Sequence, residues 1–423
     1  MKFKAFLLSI SVGVSALFAV TDTQHQDLQN RVKALEEKPI TPPYQCAENG
    51  WGVLVTAQPL YWKVSQDGLE YAITGSYDLD ITTLPSNRAF YNLDLENGKA
   101  RSPDFKYEWG FRIGLGYKMP YDNWDVGVDW TRYHHSTSDK LTRDGDPNPN
   151  NAILAGGESQ GEYISPFWVA KLFSAPGLVN RAKAQWNMDL DYLDAELGRK
   201  FYVSKFLVFR PFIGLRNAWI DQTYRLNFLA YNWPDNPDQI GRNMHVKMKN
   251  DMWAIGGRGG FDAQWLLGKG FSICTRMGFS MLYGDFDVSY SLHDQHPVET
   301  INAVSGFFVN IGPGVSVAQA ISPYDNRFKV KNHFHSTVYM ADLFLGLCWD
   351  KSFYNDRFCV SIWAGYEQGI SFQQNRFMNP QYDFTLIDLS PAISAFGSEG
   401  PNFFTDRGNM TTSGGSGGIA FSF

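Results

Sequence analysis

The sequence lacks a basic surplus and, beyond its first twenty residues, a long hydrophobic segment. Its net charge is -6, and nucleic-acid binding needs a concentrated basic surface, so we predict no nucleic-acid partner. No later stretch has the about 20 apolar residues that a transmembrane helix needs. A membrane protein with this sequence would have to be a closed β-barrel, because lipid offers unpaired backbone groups no hydrogen-bond partner.

Aromatic residues are abundant, at 16% of the chain, and they alternate with polar ones. In residues 107–118, YEWGFRIGLGYK, large apolar residues occupy the odd positions, and polar residues or glycine occupy the even ones. This is the period of a β-strand with one apolar face. After a short turn, the alternation restarts at Trp124 and continues to Trp130. This hairpin alone fits a soluble β-sandwich as well as a membrane barrel.

The rest of the chain favours the barrel. Alternating hairpins are also predicted within 183–216, 253–281 and 341–366, and lone strands at about 51–65 and 409–423 bring the total to ten. Polar segments rich in Asn, Asp, Pro, Ser and Gly separate the hairpins, at roughly 66–104, 137–181, 229–248, 292–332 and 375–408. Short turns alternating with long loops are typical of outer-membrane barrels. We predict an all-β fold, a transmembrane antiparallel up-and-down β-barrel of about ten strands, or twelve or more if a long loop contains another hairpin.

Both ends of the chain indicate export. Residues 1–19 have two lysines before a short apolar stretch and are predicted to be a secretory signal, cut after Ala19 or, as an alternative, after Ala16. The last residues, GGIAFSF, end in Phe423 and resemble the terminal strand of outer-membrane barrels, whose last aromatic residue is read by the barrel assembly machinery. We therefore expect the bacterial outer membrane as the location, with its lipid and that machinery as partners.

The segment between the signal and the barrel has two parts. Residues 20–38 predict a short amphipathic helix with Leu28, Val32 and Leu35 on one side, either a coiled-coil seam or a loosely helical spacer. Residues 39–50 are a Pro-rich linker that ends the helix. The barrel is assigned to residues 51–423.

The polar face of the strands is predicted to line the lumen. Its charged residues are Arg112, Arg210, Arg216, Arg258, Arg276, Glu108, Asp129, Asp189, Asp191, Asp262 and Glu367. Opposed charges around a water-filled path pass small polar solutes. The alternative is that these groups pair across a narrow barrel and plug it. In the predicted strand at 183–197, the alternation of apolar and polar residues appears to shift by one position near Tyr192, and we interpret this shift as a β-bulge.

Inward glycines, Gly110, Gly114, Gly116, Gly256, Gly260 and Gly278, favour an open lumen, although close strand packing also selects glycine.

The cysteines and histidines support few further predictions. With Trp349 taken opposite Phe358, Cys348 falls opposite Cys359, which predicts a disulfide in the oxidising exported compartment. His134 and His135 are adjacent, and His333 and His335 share a parity, but no Cys or carboxylate spacing completes a metal site. We find no phosphate-binding glycine loop and no nucleophile elbow. The expectation is therefore a protein that is not an enzyme, without catalytic residues, metal or cofactor.

Several segments together resemble the Legionella-type major outer membrane protein family of pore-forming barrels, also found among chlamydia-like bacteria. They include LQNRVKALEE after the signal, LYWKVSQDGLEYA at 60–72, WGFRIGLGYKMPYDNWDVGVDWTRYHH at 109–135 and RPFIGLRNAWIDQ at 210–222. GGFDAQWLLGKGFSICTRMGFSMLYGDFDVSY at 259–290 and ADLFLGLCWD at 341–350 continue the resemblance over nearly the whole chain. The polar, glycine-rich TTSGGSGG before the last residues departs from the family's apolar final strand. The resemblance implies an abundant, pore-forming surface protein and suggests a homo-oligomer.

The combined expectation is an outer-membrane porin, a passive diffusion channel for ions and small polar solutes. The first alternative is a closed barrel that acts as an adhesin or structural protein through its long loops. A soluble exported enzyme is the third.

Overall fold

The computed structural model describes residues 52–83, 89–120, 122–143, 162–169, 179–232, 236–296, 324–354, 358–381, 384–389, 393–398, 402–405 and 408–423. The predicted signal peptide, amphipathic helix and Pro-rich linker lie outside the described residues. Among the residues that the model describes, no helix is long and apolar enough to cross a membrane.

The described part of the chain is built from β-strands. They are β1 (Gly52–Gln66), β2 (Ala72–Thr83), β3 (Ala89–Arg101), β4 (Tyr107–Lys118), β5 (Trp124–Thr142), β6 (Glu162–Pro166), β7 (Arg181–Arg199), β8 (Phe201–Tyr202), β9 (Leu207–Asn232), β10 (Asn236–Gly268), β11 (Phe271–His296), β12 (Tyr324–Phe353), β13 (Phe358–Asn375), β14 (Met378–Gln381), β15 (Phe384–Leu389), β16 (Ile393–Ser398), β17 (Asn402–Thr405) and β18 (Gly408–Ser422).

Ten of these strands form one closed antiparallel barrel, in the order β1, β4, β5, β7, β9, β10, β11, β12, β13 and β18. The barrel closes because β18 pairs with both β13 and β1, as in the pairs Val360↔Phe421 and Val55↔Phe421. The predicted fold class and the count of ten strands are therefore confirmed. Outside the barrel, β2 pairs with β3 and β6, β14 with β17, β15 with β16, and the two-residue β8 with the start of β9.

The two ends of the barrel differ. At one end, which we call the turn end, short turns join neighbouring strands and Val53 N donates to Phe423 O over 2.8 Å. At the other, which we call the loop end, the strands continue well past the length that crosses a membrane. Strand β10 has 33 residues and β12 has 30, whereas about 9–11 residues are enough to span the hydrocarbon layer. Short turns in such barrels face the periplasm, and long loops face outward.

The outer face near the turn end is apolar. Large side chains stand exposed around the barrel, for example Trp109 (70%), Leu115 (61%) and Ile213 (68%). Strand β4 alternates as predicted, with all its odd-numbered residues exposed. This band is the surface that lipid would cover, because an exposed apolar belt of this size is not found on a soluble monomer.

Towards the loop end, the polarity of the two faces is reversed. On β7, Leu193 and Leu197 point outward near the turn end, but Asn187 and Asp189 point outward further along, while Trp186 is fully buried inside. The registers of β7 with β5 and β9 run through this region without a shift. The bulge predicted near Tyr192 is therefore wrong, because the change of parity marks the point where the strands leave the apolar band.

The same reversal explains why the loops predicted from the sequence are longer than those in the structure. Residues 229–248, predicted as a loop, mostly belong to the ends of β9 and β10. These two strands pair with each other continuously from Asn243↔Leu229 towards the turn end. The segment 137–181 also begins with the end of β5, and the segment 292–332 begins with the end of β11 and ends with the start of β12. These extensions carry polar residues on their outer face and therefore have the composition of loops.

Candidate functional site

A layer of charged side chains crosses the barrel interior at the level of the apolar band. The arginines are Arg112, Arg210, Arg216, Arg258 and Arg276, and the carboxylates are Asp125, Asp129, Asp194, Glu196, Asp262, Asp342 and Glu367. We call this set the charged layer. All these side chains point inward, because each residue alternates along its strand with residues whose side chains face lipid.

Arg216 and Arg258 form the centre of the charged layer. The Arg216 guanidinium donates to Asp194 on the neighbouring strand over 2.6 and 2.7 Å, and to Asp342, which lies on β12, over 2.9 Å. Arg258 donates to the same Asp342 over 2.6 Å and to Glu196 over 3.1 Å. Strands β9 and β10, which carry the two arginines, are not neighbours of β12 in the barrel, so the ion pairs with Asp342 cross part of the lumen rather than join adjacent strands.

Further arginines extend the layer towards the turn end. Arg276 donates to Asp262 over 2.7 Å and to Glu196 over 3.0 Å. Arg210 pairs with Asp125 and, over 2.7 Å, with Asp262.

The guanidinium groups of Arg210, Arg258 and Arg276 all lie 5.5–5.8 Å from the centre of the Phe212 ring. Such cation–π contacts hold the three arginines around one aromatic side chain. On the other side of the barrel, Arg112 reaches Glu367, on a strand three places away, over 2.8 Å.

A large cavity lies between the charged layer and the turn end. Its volume is about 1210 Å³, and its lining runs from Arg112, Asp262 and Arg276 to Gly52 and Phe423 at the end of the barrel. A second cavity, of about 40 Å³, lies among Arg216, Arg258 and Asp342 themselves and has room for only a few water molecules. The open space inside the barrel therefore narrows sharply within the charged layer.

Beyond the charged layer, the loop half of the barrel contains a packed apolar core. Inward side chains of the wall, such as Trp186, Tyr224 and Phe286, are fully buried there. They pack with three segments that fold in from the loop end, residues 67–72, 162–169 and 374–378, which we call the plug. The plug contributes the fully buried Trp168 and Phe377.

Hydrogen bonds fix the plug to the wall. Tyr224 donates to the Leu69 carbonyl over 2.7 Å, Tyr290 donates to the Trp168 carbonyl over 2.8 Å, and Asn250 donates to the Gln374 carbonyl over 2.9 Å. Tyr71, within the plug, donates to Asp139 over 2.9 Å. Burial, reinforced by this carboxylate, raises the pKa of Tyr71, so its hydroxyl stays a donor at neutral pH.

Most of the residues predicted to line the pore lie in the charged layer, but three do not. Asp189 and Asp191 face outward, where Asp189 is exposed beside His134 and Asp191 accepts from Trp130. Their assignment to the lumen is wrong, because the polar face of β7 becomes the outer face beyond the apolar band. Glu108 has the inward parity but lies at the loop-end start of β4, 3.8 Å from the buried His135, and accepts from Ser136 N over 3.3 Å.

Four carboxylates of the charged layer were not predicted: Asp125, Asp194, Glu196 and Asp342. Asp194 and Glu196 were not selected, although they alternate with Leu193, Ala195 and Leu197 and the supposed change of parity near Tyr192 would have put them on the inner face. Asp342 alternates with Ala341 and Leu343 on β12, so parity alone would have placed it inside.

The inward glycines do not simply leave the lumen open. A Cβ atom on Gly256 would lie 2.1 Å from the Met281 carbonyl oxygen, and one on Gly260 would lie 2.0 Å from the Met277 carbonyl oxygen. These positions are glycine because the neighbouring strand's backbone occupies the space of a side chain. The alternative explanation, close strand packing, is therefore the one that applies to both.

The predicted Cys348–Cys359 disulfide is also wrong. Cys348 is bonded to Cys274, with 6.0 Å between the Cα atoms, and Cys359 is disulfide-bonded too, but not to Cys348. The turn between β12 and β13 lies further along than predicted, so Phe353 rather than Trp349 faces Phe358, and Cys359 faces Ser352. On its other side, β12 places Cys348 diagonally across from Cys274 on the inner face.

Comparisons with known proteins support the membrane assignment. A family model described as Legionella pneumophila major outer membrane protein precursor matches residues 41–405. None of the curated proteins compared matches the sequence.

The similarity to solved structures is distant. These structures include the outer membrane protease OmpT from Escherichia coli, with 12% identity, a TM-score of 0.31 and coverage of 90% of this chain and 99% of that one. The toluene transporter TodX from P. putida has 8% identity, a TM-score of 0.24 and coverage of 89% and 90%. The translocator domain of the autotransporter NalP from Neisseria meningitidis has 8% identity, a TM-score of 0.25 and coverage of 94% of this chain and 95% of that one. TM-scores this low do not establish a common fold.

Proposed function

Since the chain belongs to the Legionella major outer membrane protein family and is a barrel protein of the bacterial outer membrane, we propose that it is a channel for ions and small polar solutes, closed by its plug in the conformation described. We propose also that it is a porin without enzymatic activity. The observation that carries the proposal is the cavity of about 1210 Å³, whose lining includes Arg112, Asp262 and Arg276 and which leads from the turn end to the charged layer. A barrel that served only as a rigid support would fill this space with side chains.

The charged layer would act as the selectivity element. Its carboxylates outnumber its arginines among the described residues, so a hydrated cation meets a weakly negative field on entering from the cavity. Paired charges across a constriction also exclude large or apolar solutes, because these cannot replace the hydrogen bonds of the arginines.

The plug would act as the gate. Its contacts with the wall are apolar packing and a few hydrogen bonds, and most of its residues lie outside the ten barrel strands, with Gln374 and Asn375 forming the end of β13. Moving the plug aside would break backbone contacts at the loop end, such as the pair Asn375↔Gly408 and the bond from Asp67 N to Asn409 O, and would leave the strand pairs of the lipid-covered section intact.

A second candidate function is favoured by the same apolar core. If the plug never leaves, the protein is a closed barrel that presents its outer loops as an adhesin or structural surface protein. The cross-lumen ion pairs, such as Arg216 with Asp342, would then be purely structural.

Single-channel recording in planar bilayers separates the two candidates. The test variant is Trp168→Ala with Phe377→Ala, which removes the two plug side chains that are completely buried. The matched control is Phe167→Ala with Phe372→Ala, because both of these residues are exposed, at 39% and 37%. We expect rare, brief openings in the wild type and in the control, and more frequent discrete steps in the test variant.

A further variant, Arg258→Ala with Arg276→Ala, tests the charged layer. Removing both cations leaves Glu196 without its two close partners, so we expect the reversal potential in a salt gradient to shift towards cation selectivity. All variants must show the heat-dependent gel mobility of a folded barrel. Silence of every folded variant, including the one without Trp168 and Phe377, would reject the channel and favour the closed surface protein.

A further inference from the structure

Two histidines on the outer face of the barrel lie beside a carboxylate of the neighbouring strand. His333 and His335 are two residues apart on β12, so both side chains project from the same face. The register of β11 and β12 places Asp285 directly opposite His335, and Asp287 directly opposite His333. The sequence alone shows only the two histidines, because the carboxylates come from a strand about fifty residues earlier.

The distances among these side chains match those of a metal site. Asp285 Oδ1 lies 3.3 Å from His333 Nδ1 and 3.6 Å from His335 Nδ1. One donor atom from each of the three residues can be chosen so that all lie within 4.8 Å of one another. Ligands at about 2.0–2.2 Å from a tetrahedral zinc ion are separated by roughly 3.3 Å, so a small inward adjustment would be enough.

The environment of the Asp285 carboxylate suits a bound cation. Its Oδ1 atom is inaccessible to solvent and accepts no hydrogen bond, although both imidazoles lie nearby. A buried carboxylate oxygen without a partner costs free energy. A cation between Asp285 and the two histidines would remove that cost, and Asp287, 3.0 Å from His333 Nδ1, adds a second negative charge.

Another exposed histidine of the barrel wall has a simpler environment. His134 contacts one carboxylate, Asp189, at 2.7 Å, which is an ordinary ion pair or hydrogen bond. Only at Asp285, among the residues that the model describes, do three or more His, Cys, Asp or Glu side chains gather closely enough to hold an ion.

The site is accessible and lies at the edge of the apolar band. The side chains of Asp285, His333 and His335 are 35%, 54% and 49% exposed. The ring of Tyr283, the next outward residue of β11 towards the turn end, stacks on His335 with 5.5 Å between ring centres. An ion can therefore reach the site from the outer surface, where it keeps at least one position for water.

We propose that Asp285, His333 and His335 form a binding site for a late first-row transition-metal ion, with Zn²⁺ as the reference. Imidazole nitrogen donors favour Zn²⁺, Ni²⁺ and Cu²⁺, whereas Ca²⁺ and Mg²⁺ prefer sites made of oxygen atoms alone. The bound ion would clamp β11 to β12 at the outer surface. The site is independent of the channel proposal, because none of its residues faces the lumen.

Zinc binding is measured on the folded full-length protein in detergent, purified without a polyhistidine tag and stripped with a chelator. Competition with a chromophoric zinc chelator gives the affinity and the number of ions per chain. We expect His335→Gln and Asp285→Asn each to weaken the tightest site at least tenfold, in line with the loss of one ligand. The matched control is His134→Gln, which removes an exposed histidine that has only one carboxylate partner and should leave zinc binding unchanged.

Two results would overturn the proposal. One is a wild-type protein that binds no zinc, or that binds it equally well after His335→Gln. The other is displacement of zinc by an equal concentration of Ca²⁺, which would indicate binding by carboxylates alone. Heat-dependent gel mobility confirms that each variant is folded before its affinity is compared.

Discussion

At the scale of single residues, the stability of the charged layer depends on complete pairing. The Arg216 side chain is only 5% exposed and binds Asp194, which is 9% exposed, together with Asp342. Its guanidinium also lies 4.8 Å from the centre of the Tyr192 ring. Removing one partner of a buried ion pair is costly, because the remaining charge stays buried without compensation.

We expect Arg216→Ala to lower the free energy of unfolding by about 3–5 kcal/mol. The control is Arg225→Ala on the same strand, since Arg225 faces outward and is exposed; a change within about 0.5 kcal/mol is expected there. Urea unfolding in detergent, followed by tryptophan fluorescence, measures both. Equal losses in the two variants would mean that the buried ion pairs do not stabilise the barrel.

The sequence predicted these residues unevenly. Parity placed all five arginines correctly on the inner face, because each lies opposite in parity to the large apolar residues of its strand that face lipid. It failed for Asp189 and Asp191, since an acidic residue on a strand can face either a polar lumen or water outside the membrane. Only the position of the residue along the barrel axis distinguishes these two environments.

At the scale of the strand, glycine determines how closely β10 approaches β11. Gly256 and Gly257 are adjacent in the sequence, but their environments differ. A Cβ atom on Gly256 would meet the backbone of Met281, whereas one on Gly257 would meet nothing within 4 Å. A backbone carbonyl cannot turn aside as a flexible side chain can.

We therefore expect Gly256→Ala to destabilise the barrel by about 1–3 kcal/mol, the usual cost of overpacking. Gly257→Ala should be neutral or slightly stabilising, because it restricts the unfolded chain without creating a clash. The temperature at which the folded band disappears from gels run without boiling compares the two variants. If Gly256→Ala is as stable as Gly257→Ala, the strands are less tightly packed than described.

Strand register was the least predictable property at this scale. Ten strands follow from hydrophobic alternation, but the exact turn position between β12 and β13 does not, since DKSFYNDR allows turns at several places. An error of four residues on β12 was enough to assign Cys348 to the wrong partner. The correct partner, Cys274, lies on the preceding strand, and its inward parity was the available signal.

At the scale of the whole molecule, the barrel has two sections with opposite organisation. In the lipid-covered section, the outside is apolar and the inside charged. In the section towards the loop end, the outside is polar and the inside is an apolar core that includes the plug. A sequence pattern of period two is the same in both sections, so the location of the boundary follows from the structure and not from the alternation.

The outward residues of β9 cross this boundary and provide a direct test. Ile213 and Leu215 are 68% and 59% exposed in the apolar band, while Thr223 also has outward parity and lies beyond Trp219 and Asp221. We expect a cysteine at Thr223 to react with a charged, membrane-impermeant maleimide in lipid vesicles. A cysteine at Ile213 or Leu215 should not react, because hydrocarbon excludes the reagent and keeps the thiolate from forming.

Solvent exposure in the isolated chain cannot produce this difference, since all these positions lie on the outer face. The wild-type protein supplies the background labelling, and the same variants in denaturant show that every introduced cysteine can react. Equal labelling of Ile213→Cys and Thr223→Cys in vesicles would place the boundary elsewhere. Protection of Ile213→Cys and Leu215→Cys, with labelling of Thr223→Cys, would locate the membrane surface between Leu215 and Thr223, at the level where Trp219 pairs with Trp253 and where an aromatic girdle is expected.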